Sequence, residues 1–142
     1  MKVFSYLNFQ GNAEEAFDFY KSVFGGEYSS LVRFKDLPME GVSIPEADGD
    51  KVMHIALPVG DALLMASDAL ESMGHQVVRG NGHYVSLHPD TREEADRIFS
   101  ALSEGADIEM PIDTQVWGDY FGSLRDKFGI GWMVNHGASQ ES

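Results

Sequence analysis

The sequence predicts an α+β fold that consists of two tandem βαβββ modules. Three observations support this prediction: two segments have the amphipathic periodicity of helices, β-rich segments surround both of them in the same order, and an internal repeat relates the two halves. Each half is therefore predicted to run strand, helix, strand, strand, strand. The 142-residue chain has the length of one ordinary domain.

The first helix is predicted within the segment GNAEEAFDFYKSVFGGE. Asn12 is the expected N-cap, and the acidic Glu14 and Glu15 follow it at the positive end of the helix dipole. Gly25 is expected to end the helix. The apolar positions recur at the spacing of one helical face: Ala13, Ala16, Phe17, Tyr20, Val23 and Phe24.

The second helix is predicted within the segment HPDTREEADRIFSALSEGA. Thr91 and Glu94 have the spacing of a capping box, and Gly105 is expected to end the helix. Its apolar stripe consists of Ala95, Ile98, Phe99 and Leu102.

The two helices match each other at an offset of 79 residues. At this offset residues 14–16, Glu-Glu-Ala, correspond to residues 93–95, which have the same sequence. The match indicates an internal duplication. The same offset matches Ser5 with Tyr84 in the strands that precede the helices. These two residues are therefore predicted to occupy equivalent positions and to lie on the same face of their sheets.

Further β-rich segments precede and follow both helices. Turn-forming residues at 58–61 and 126–129 predict that the last two strands of each half form a hairpin. The predicted strands lie in VFSYLNF, residues 28–34, KVMHIALP and ALLMAS in the first half, and in HYVSLH, DIEMPIDTQ, WGDYFGSL and GIGWMVN in the second.

We predict a single domain over residues 1–142. Module one covers about residues 1–70, module two covers about residues 83–137, and residues 71–82 connect them. Residues 35–50 are a predicted loop rich in Pro, Gly and acidic residues. A loop of this length inside a compact domain is often functional or mobile, so its action as a lid is an open question.

The composition excludes several classes of partner. Ten basic and twenty-three acidic residues give a formal net charge of -13, which repels nucleic acid and anionic lipid surfaces. No apolar run is long enough to span a membrane, and the N-terminal residues lack the pattern of a signal peptide. The chain has no cysteine, so it has no thiolate nucleophile or disulfide, and a cytoplasmic location is expected.

Three segments carry a resemblance to a known superfamily: YLNFQGNAEEAFDFYKSVFGGE, MHIALPVGDALLMASDA and the aromatic and glycine series from Trp117 to Asn135. Together they resemble the vicinal-oxygen-chelate superfamily of glyoxalases, bleomycin resistance proteins and dioxygenases, and more closely its PhnB-like branch. The resemblance covers nearly the whole chain. It implies that the two modules form a cupped mixed β-sheet with the helices on the outside, and that the protein is a homodimer.

The metal enzymes of this superfamily place one His or Glu ligand on the first and last strand of each module. The positions that match them here are Ser5, Met65, Tyr84 and Met133. None is an imidazole or a carboxylate, and a slip of one residue would only replace Tyr84 by His83. Thioether and hydroxyl groups are poor ligands for the divalent ions of such enzymes, so the sequence predicts no metal and no cofactor.

Without a metal, the centre of the predicted cup is apolar. Met65 and Met133 would supply flexible, polarisable side chains there, and strand parity places Tyr84, Ser86 and His88 on the same face. Trp117, Phe121 and Trp132 are candidates for an aromatic wall that binds a planar ligand, and their alternative role is packing in the core and the hairpin. The residues predicted to line a ligand pocket are Ser5, Leu7, Met65, Tyr84, Ser86, His88, Trp117, Phe121 and Met133.

Two residues are candidates for acid–base chemistry. His54 lies in a predicted strand, and Asp68 directly follows another one, so the two could pair at the rim of the cup. Each has an alternative role without catalysis. His54 would then form a hydrogen bond within the sheet, and Asp68 would cap a turn or loop.

The sequence therefore predicts a PhnB-like protein with the glyoxalase fold that binds a small organic molecule in the cup without a metal. The alternative is a divalent-metal-dependent lyase, dioxygenase or resistance enzyme of the glyoxalase type. A methyltransferase role lacks the glycine-rich turn that would hold an adenosyl cofactor. Phosphonate binding would involve Arg33, Arg79 or Arg125. The ligand, the reaction and the question of catalysis are left open.

Overall fold

The structure, a computed structural model, describes residues 1–36 and 44–137. The centre of the predicted 35–50 loop, and with it the hypothesis of a lid, lies outside the described residues. The ends of this loop form short 3-10 helices at Phe34–Asp36 and Glu46–Asp48. The chain divides into two compact units at residue 78, within the segment expected to connect the modules.

Module one is a four-stranded mixed sheet with one helix. The strand order is β1-β4-β3-β2, with β1 parallel to β4 and the other pairs antiparallel. The hairpin between β3 and β4 turns at Gly60, whose φ of 56° favours glycine. The elements are β1 (Ser5–Phe9), α1 (Ala13–Phe24), β2 (Ser30–Arg33), β3 (Val52–Val59) and β4 (Ala62–Asp68).

Module two repeats this arrangement. The strand order is β5-β8-β7-β6, again with the first strand parallel to the last and the other pairs antiparallel. The two mixed sheets, each with a helix, confirm the predicted α+β fold of two βαβββ modules. The elements are β5 (Val85–Leu87), α2 (Arg92–Leu102), β6 (Asp107–Thr114), β7 (Tyr120–Arg125) and β8 (Gly131–His136).

Helix α1 packs the core of module one. The predicted stripe is buried except for Phe24, which is half-buried. The ring of Phe17 contacts the rings of Phe9 from β1 and Tyr20 edge-on, at centroid distances of 6.2 and 5.5 Å. Burying one such aromatic side chain contributes about 2 kcal/mol. The helix therefore lies against the face of the sheet that carries Phe9.

Helix α2 begins at the predicted capping box. The Thr91 hydroxyl accepts a hydrogen bond from the Glu94 N–H at 3.1 Å. The apolar stripe of α2 is buried, as predicted, and Trp132 and Val134 of β8 are fully buried.

No helix of the described residues is long and apolar enough to cross a membrane.

The register corrects the predicted faces of β1. Ser5 pairs with Leu64, and Leu7 pairs with Ala66, so both lie on the helix side of the sheet rather than beside Met65. Leu7 is 7% exposed, in keeping with that position. The neighbour of Met65 is Tyr6. The predicted placement of Ser5 and Leu7 on the face of Met65 is therefore wrong.

The physical reason is a difference of one residue between the two modules. The helices match at an offset of 79, but the buried Leu7 corresponds to Leu87, which is an offset of 80. Leu7 therefore lies six residues before the first residue of α1, whereas Leu87 lies five residues before the first residue of α2. Because side chains alternate along a strand, a slip of one residue moves every side chain to the other face.

Candidate functional site

Each sheet has one face that packs against its helix and one that does not. We call the second the helix-free face of the module. In module one, Tyr6, Met65 and Ala56 lie side by side in one row of this face. By the register of the strands, the residues on it are Tyr6, Asn8, Ser30, Val32, His54, Ala56, Pro58, Leu63, Met65 and Ser67.

Met65 is half-buried at the centre of this face. Its neighbour on β1, Tyr6, is 47% exposed, and its neighbour on β3, Ala56, is 3% exposed. A large part of the Tyr6 side chain therefore faces outward beside an adaptable thioether side chain. The face combines apolar surface with hydroxyl and imidazole groups.

A tyrosine and a histidine form a pair on this face. The Tyr6 hydroxyl lies 3.1 Å from Nδ1 of His54, within hydrogen-bond distance. The two rings are stacked, with centroids 5.8 Å apart and an interplanar angle of 27°. Tyr6 was not predicted as a site residue, because the offset of 79 assigned it to the helix side.

Asp68 has a different role from the hypothesised partner of His54. Its carboxylate accepts hydrogen bonds from the N–H groups of Gly11 (3.1 Å), Ala13 (2.9 Å) and Val52 (2.8 Å). Asp68 is 5% exposed and pairs with Phe9 on the helix side of the sheet. This geometry matches the alternative role of Asp68 as a residue that caps a loop. Asp68 also takes the place of Asn12 at the start of α1, because the Asn12 side chain makes no cap hydrogen bond.

The helix-free face of module two holds the predicted residues of that module. Ser86, Met133 and Ser123 lie side by side, as strand parity predicted for Ser86 and Met133. The Ser86 hydroxyl lies 2.9 Å from Nε2 of His88, so these two side chains are also on one side. Met133, like Met65, is half-buried.

Two aromatic residues lie at one end of this face. Phe121 pairs with Asn135, in the row next to that of Met133. Trp117, in the turn between β6 and β7, is 57% exposed and contacts Phe121 edge-on, with the centroids 5.9 Å apart. The structure thus brings Trp117 and Phe121 together, whereas Trp132, the third candidate for the aromatic wall, is fully buried on the helix side of the sheet.

Tyr84 belongs to a charged cluster that the sequence did not reveal. Its hydroxyl donates a hydrogen bond to Glu109 at 2.7 Å, and the Arg125 guanidinium lies over its ring, 5.2 Å from the centroid. Arg125 Nη2 is 3.8 Å from Glu109 Oε2. Gly131 makes room for the ring, because a Cβ there would lie 2.9 Å from Tyr84 Cδ1. The pairing of β6 with β7 shifts in register between Ile108 and Met110, the neighbours of Glu109, and sequence reasoning did not predict this shift.

The three arginines considered for phosphonate binding already have partners in the chain. Arg33 forms a bidentate ion pair with Glu14, with N–O distances of 2.9 and 2.7 Å. This contact lowers the pKa of Glu14, mainly through its hydrogen bonds. Arg79 Nε donates to the Phe128 carbonyl oxygen, and Arg125 lies beside Glu109. An anion would have to compete with these contacts, although Nη2 of Arg125 is buried without a hydrogen-bond partner among the described residues.

The chemistry of the helix-free faces does not fit a divalent metal. The first and last strands place Tyr6 beside Met65 in module one and Ser86 beside Met133 in module two. Phenol, hydroxyl and thioether groups are poor donors for hard or borderline divalent ions. In residues 1–36 and 44–137, no group of three or more His, Asp or Glu side chains could hold a metal ion.

Solved structures share this fold. A crystal structure of protein PA1353 from Pseudomonas aeruginosa is 37% identical, with a TM-score of 0.84, and the match covers 96% of this chain and 98% of that one. A PhnB protein from Bacillus cereus is 28% identical, with a TM-score of 0.75 and coverages of 96% and 99%. At 18% identity and a TM-score of 0.58, a glyoxalase/bleomycin resistance protein/dioxygenase family enzyme from Burkholderia phytofirmans shares the fold over 93% of this chain and 96% of its own.

The fold is therefore that of the vicinal-oxygen-chelate proteins, as the resemblance implied. A family profile described as 3-demethylubiquinone-9 3-methyltransferase matches residues 1–135. The chain belongs to this family, the PhnB-like branch of the superfamily.

The residues do not fit the adenosyl cofactor that the family's description implies. Such cofactors bind at glycine-rich turns between a strand and a helix. The turn from β1 to α1 contains one glycine, Gly11, and the N–H groups of Gly11 and Ala13 are bonded to Asp68. The corresponding turn of module two, residues 88–91, contains no glycine.

Proposed function

We propose that the chain binds a small organic molecule, without a metal ion, on the helix-free faces of its sheets. One observation carries the proposal: the equivalent residues Met65 and Met133 are both half-buried at the centre of such a face, each beside a hydroxyl side chain. Binding sites for small molecules combine adaptable apolar surface with a few polar groups in this way. The neighbouring hydroxyls are those of Tyr6 and Ser86.

Other predicted pocket residues support the proposal in module two. His88 lies within hydrogen-bond distance of Ser86, and Trp117 and Phe121 offer exposed ring surface for a planar ligand. Tyr84 would contribute mainly as part of the cluster with Glu109 and Arg125. His54 is the candidate for a catalytic group if the protein is an enzyme.

The test is NMR of protein labelled with ¹³C at the methionine methyl groups. Substitutions Met65→Leu and Met133→Leu assign the two signals. A library of neutral and charged fragments should shift these signals, because a molecule bound on either helix-free face would contact the methionine methyl group at the centre of that face. Met73, which is 44% exposed in the 3-10 helix Glu71–Met73, is the internal control and should not respond. Fragments that shift Met73 as much as Met65 and Met133 would contradict the proposal.

Elemental analysis of the same sample tests the absence of a metal. We expect less than about 0.1 equivalent of nickel, zinc, manganese or iron per chain, because thioether and hydroxyl groups bind these ions weakly. One tightly bound ion per chain would instead support the alternative, a metal-dependent lyase, dioxygenase or resistance enzyme of the glyoxalase type.

The proposal extends to the state of the protein in the cell. We propose that the protein is a homodimer, as the resemblance implies. We also propose that it is cytoplasmic, because the absence of cysteine favours that location. Light scattering after size-exclusion chromatography should give twice the chain mass of 15.7 kDa. We do not propose methyl transfer for this chain, because the turn at Gly11 does not fit the cofactor.

A further inference from the structure

We infer that His54, held by the Tyr6 hydroxyl, donates a hydrogen bond from Nε2 to the ligand of module one, and that this ligand is an uncharged organic molecule with a carbonyl oxygen. The inference rests on the proposed function, because it names the chemistry of the molecule bound on the helix-free face. It adds Tyr6 as a positioning residue.

The Tyr6 contact determines which nitrogen of His54 carries the proton. A neutral imidazole has one N–H and one acceptor nitrogen. A phenol hydroxyl is a better donor than acceptor, so the Tyr6 hydroxyl at 3.1 Å donates to Nδ1. Nδ1 is then the acceptor, and the proton is on Nε2.

Nε2 is the free donor of the pair. Among the described residues, Tyr6 alone forms a hydrogen bond or ring contact with the His54 side chain. Nε2–H therefore has no acceptor in this part of the chain. His54 is half-buried and its Nε2 is open to solvent, so a bound molecule can reach this donor and replace the water on it. The stacked Tyr6 ring restricts rotation of the imidazole and so fixes the direction of the N–H.

The charge of the surroundings decides the class of acceptor. On the helix-free side of β1 to β4, the described strand residues are all uncharged. An anionic ligand would find no cation there to stabilise it, and the net charge of -13 would repel it. A cationic ligand would find no free imidazole acceptor, because Nδ1 is occupied. A neutral carbonyl oxygen is the acceptor that remains.

The apolar part of the ligand would lie on Met65 and on the exposed ring of Tyr6. Met65 and Tyr6 are neighbours across β4 and β1, and the Tyr6 ring already stacks on His54. A flat ring and a thioether side chain suit a planar or alkyl-substituted carbonyl compound. The probe for the tests is therefore acetophenone, with ethylbenzene as the analogue without oxygen and benzoate as the anionic analogue.

The first test measures the tautomer of His54 without any ligand, by long-range ¹H–¹⁵N NMR of the imidazole. The wild-type protein should show the Nε2–H form, and Tyr6→Phe should shift the equilibrium towards the Nδ1–H form. Tyr28→Phe is the matched control, because Tyr28 donates its hydroxyl to Asp18 of α1 at 2.6 Å. It should lower stability and leave the His54 tautomer unchanged. An Nδ1–H form in the wild type, or equal effects of the two substitutions, would overturn the role of Tyr6.

The second test measures binding of the three probes through the Met65 methyl and His54 ring signals. Acetophenone should bind about three- to tenfold more tightly than ethylbenzene, the effect of one hydrogen bond, and more tightly than benzoate. His54→Phe should remove this difference. The control His75→Phe, at an exposed position after a 3-10 helix, should keep it.

The two tests separate this inference from the proposed function. If acetophenone and ethylbenzene shift the Met65 signal equally and the His54 signals do not move, the face binds organic molecules and the inference fails. If benzoate binds most tightly, the uncharged class is wrong. If no probe or fragment shifts Met65 or Met133, the proposed function fails as well, whatever the tautomer of His54.

Discussion

The helix-free face of module one has a different chemical character from that of module two. In module one, the described strand residues of this face are uncharged, and its polar contacts include the pair of Tyr6 and His54. In module two, Arg125 and Glu109 surround Tyr84. Both modules keep a half-buried methionine at the equivalent central position. The two modules therefore share a central methionine and differ in the charge of the side chains around it.

In contrast, the helix sides of the two sheets fill the same core volume with different combinations of large and small residues. Ile55 pairs with Ala66 in module one, and Gly122 pairs with Val134 at the equivalent place in module two. A Cβ at Gly122 would lie 2.8 Å from the Phe99 ring of α2, so the helix fills the space that Ile55 occupies in module one. Exchanging large and small residues in this way keeps a core packed.

The largest effect is expected from Asp68 and Asp126, two buried carboxylates that each accept three hydrogen bonds. Asp126 accepts hydrogen bonds from the N–H groups of Phe128 and Ile130 and from Trp132 Nε1, at 2.8, 3.0 and 2.8 Å. In module one, the Asp68 carboxylate likewise accepts three backbone hydrogen bonds. Either Asp→Asn substitution places an amide NH₂ against N–H donors, so the free energy of unfolding should fall by about 3 kcal/mol. Urea unfolding measures this loss.

The comparison between the two carboxylates sharpens this prediction. Asp126→Asn should also change the emission of Trp132, because the indole N–H loses its acceptor, whereas Asp68→Asn should loosen the start of α1 without that change. Asp61→Asn, at an exposed turn position, is the control and should stay within about 0.5 kcal/mol of the wild type. A loss at Asp61 as large as at Asp126 would refute the hydrogen-bond explanation.

Features that depend on sequence neighbours were predictable, and features that depend on distant contacts were not. The helices, the hairpins and the duplication follow from local periodicity and turn chemistry, and the structure confirms the α+β fold. The role of Asp68 required knowing that Gly11 and Val52 come together around it. The predicted face of Ser5 and Leu7 was wrong because Leu7 lies one residue further from its helix than Leu87 does, and an alignment of the helices does not show this difference.

A second prediction concerns the charged cluster that distinguishes module two. Gly131→Ala would place a methyl group 2.9 Å from the Tyr84 ring and from the His83 carbonyl oxygen, so the ring must move away from Arg125. We expect a loss of about 1–3 kcal/mol in the free energy of unfolding. Leu63 is the residue of module one that is equivalent to Gly131. The sheet therefore accepts a side chain at this position, and the neighbouring Tyr84 ring is what excludes one in module two.

Gly82 supplies the control for this substitution. Nothing lies within 4 Å of a Cβ at Gly82, so Gly82→Ala should leave stability unchanged or slightly higher. ¹³C NMR of the Tyr84 ring provides a second measurement, because loss of the guanidinium from its face changes the ring shifts. An unchanged Tyr84 signal in Gly131→Ala would show that the cluster does not depend on this glycine.

The smallest effect is expected from an ion pair of module one. Arg33 lowers the pKa of Glu14 below its ordinary value of 4.5, so the pair stabilises the folded chain above that pH. This contribution is lost as the pH falls through the lowered pKa. Because Glu14 is partly exposed, Glu14→Gln should cost only about 0.5 kcal/mol at neutral pH and about nothing at strongly acidic pH. Glu15→Gln, in the same helical turn but exposed, controls for the helix dipole. If both substitutions cost the same at neutral pH, or if the cost of Glu14→Gln persists in acid, the Arg33 contact is not its cause.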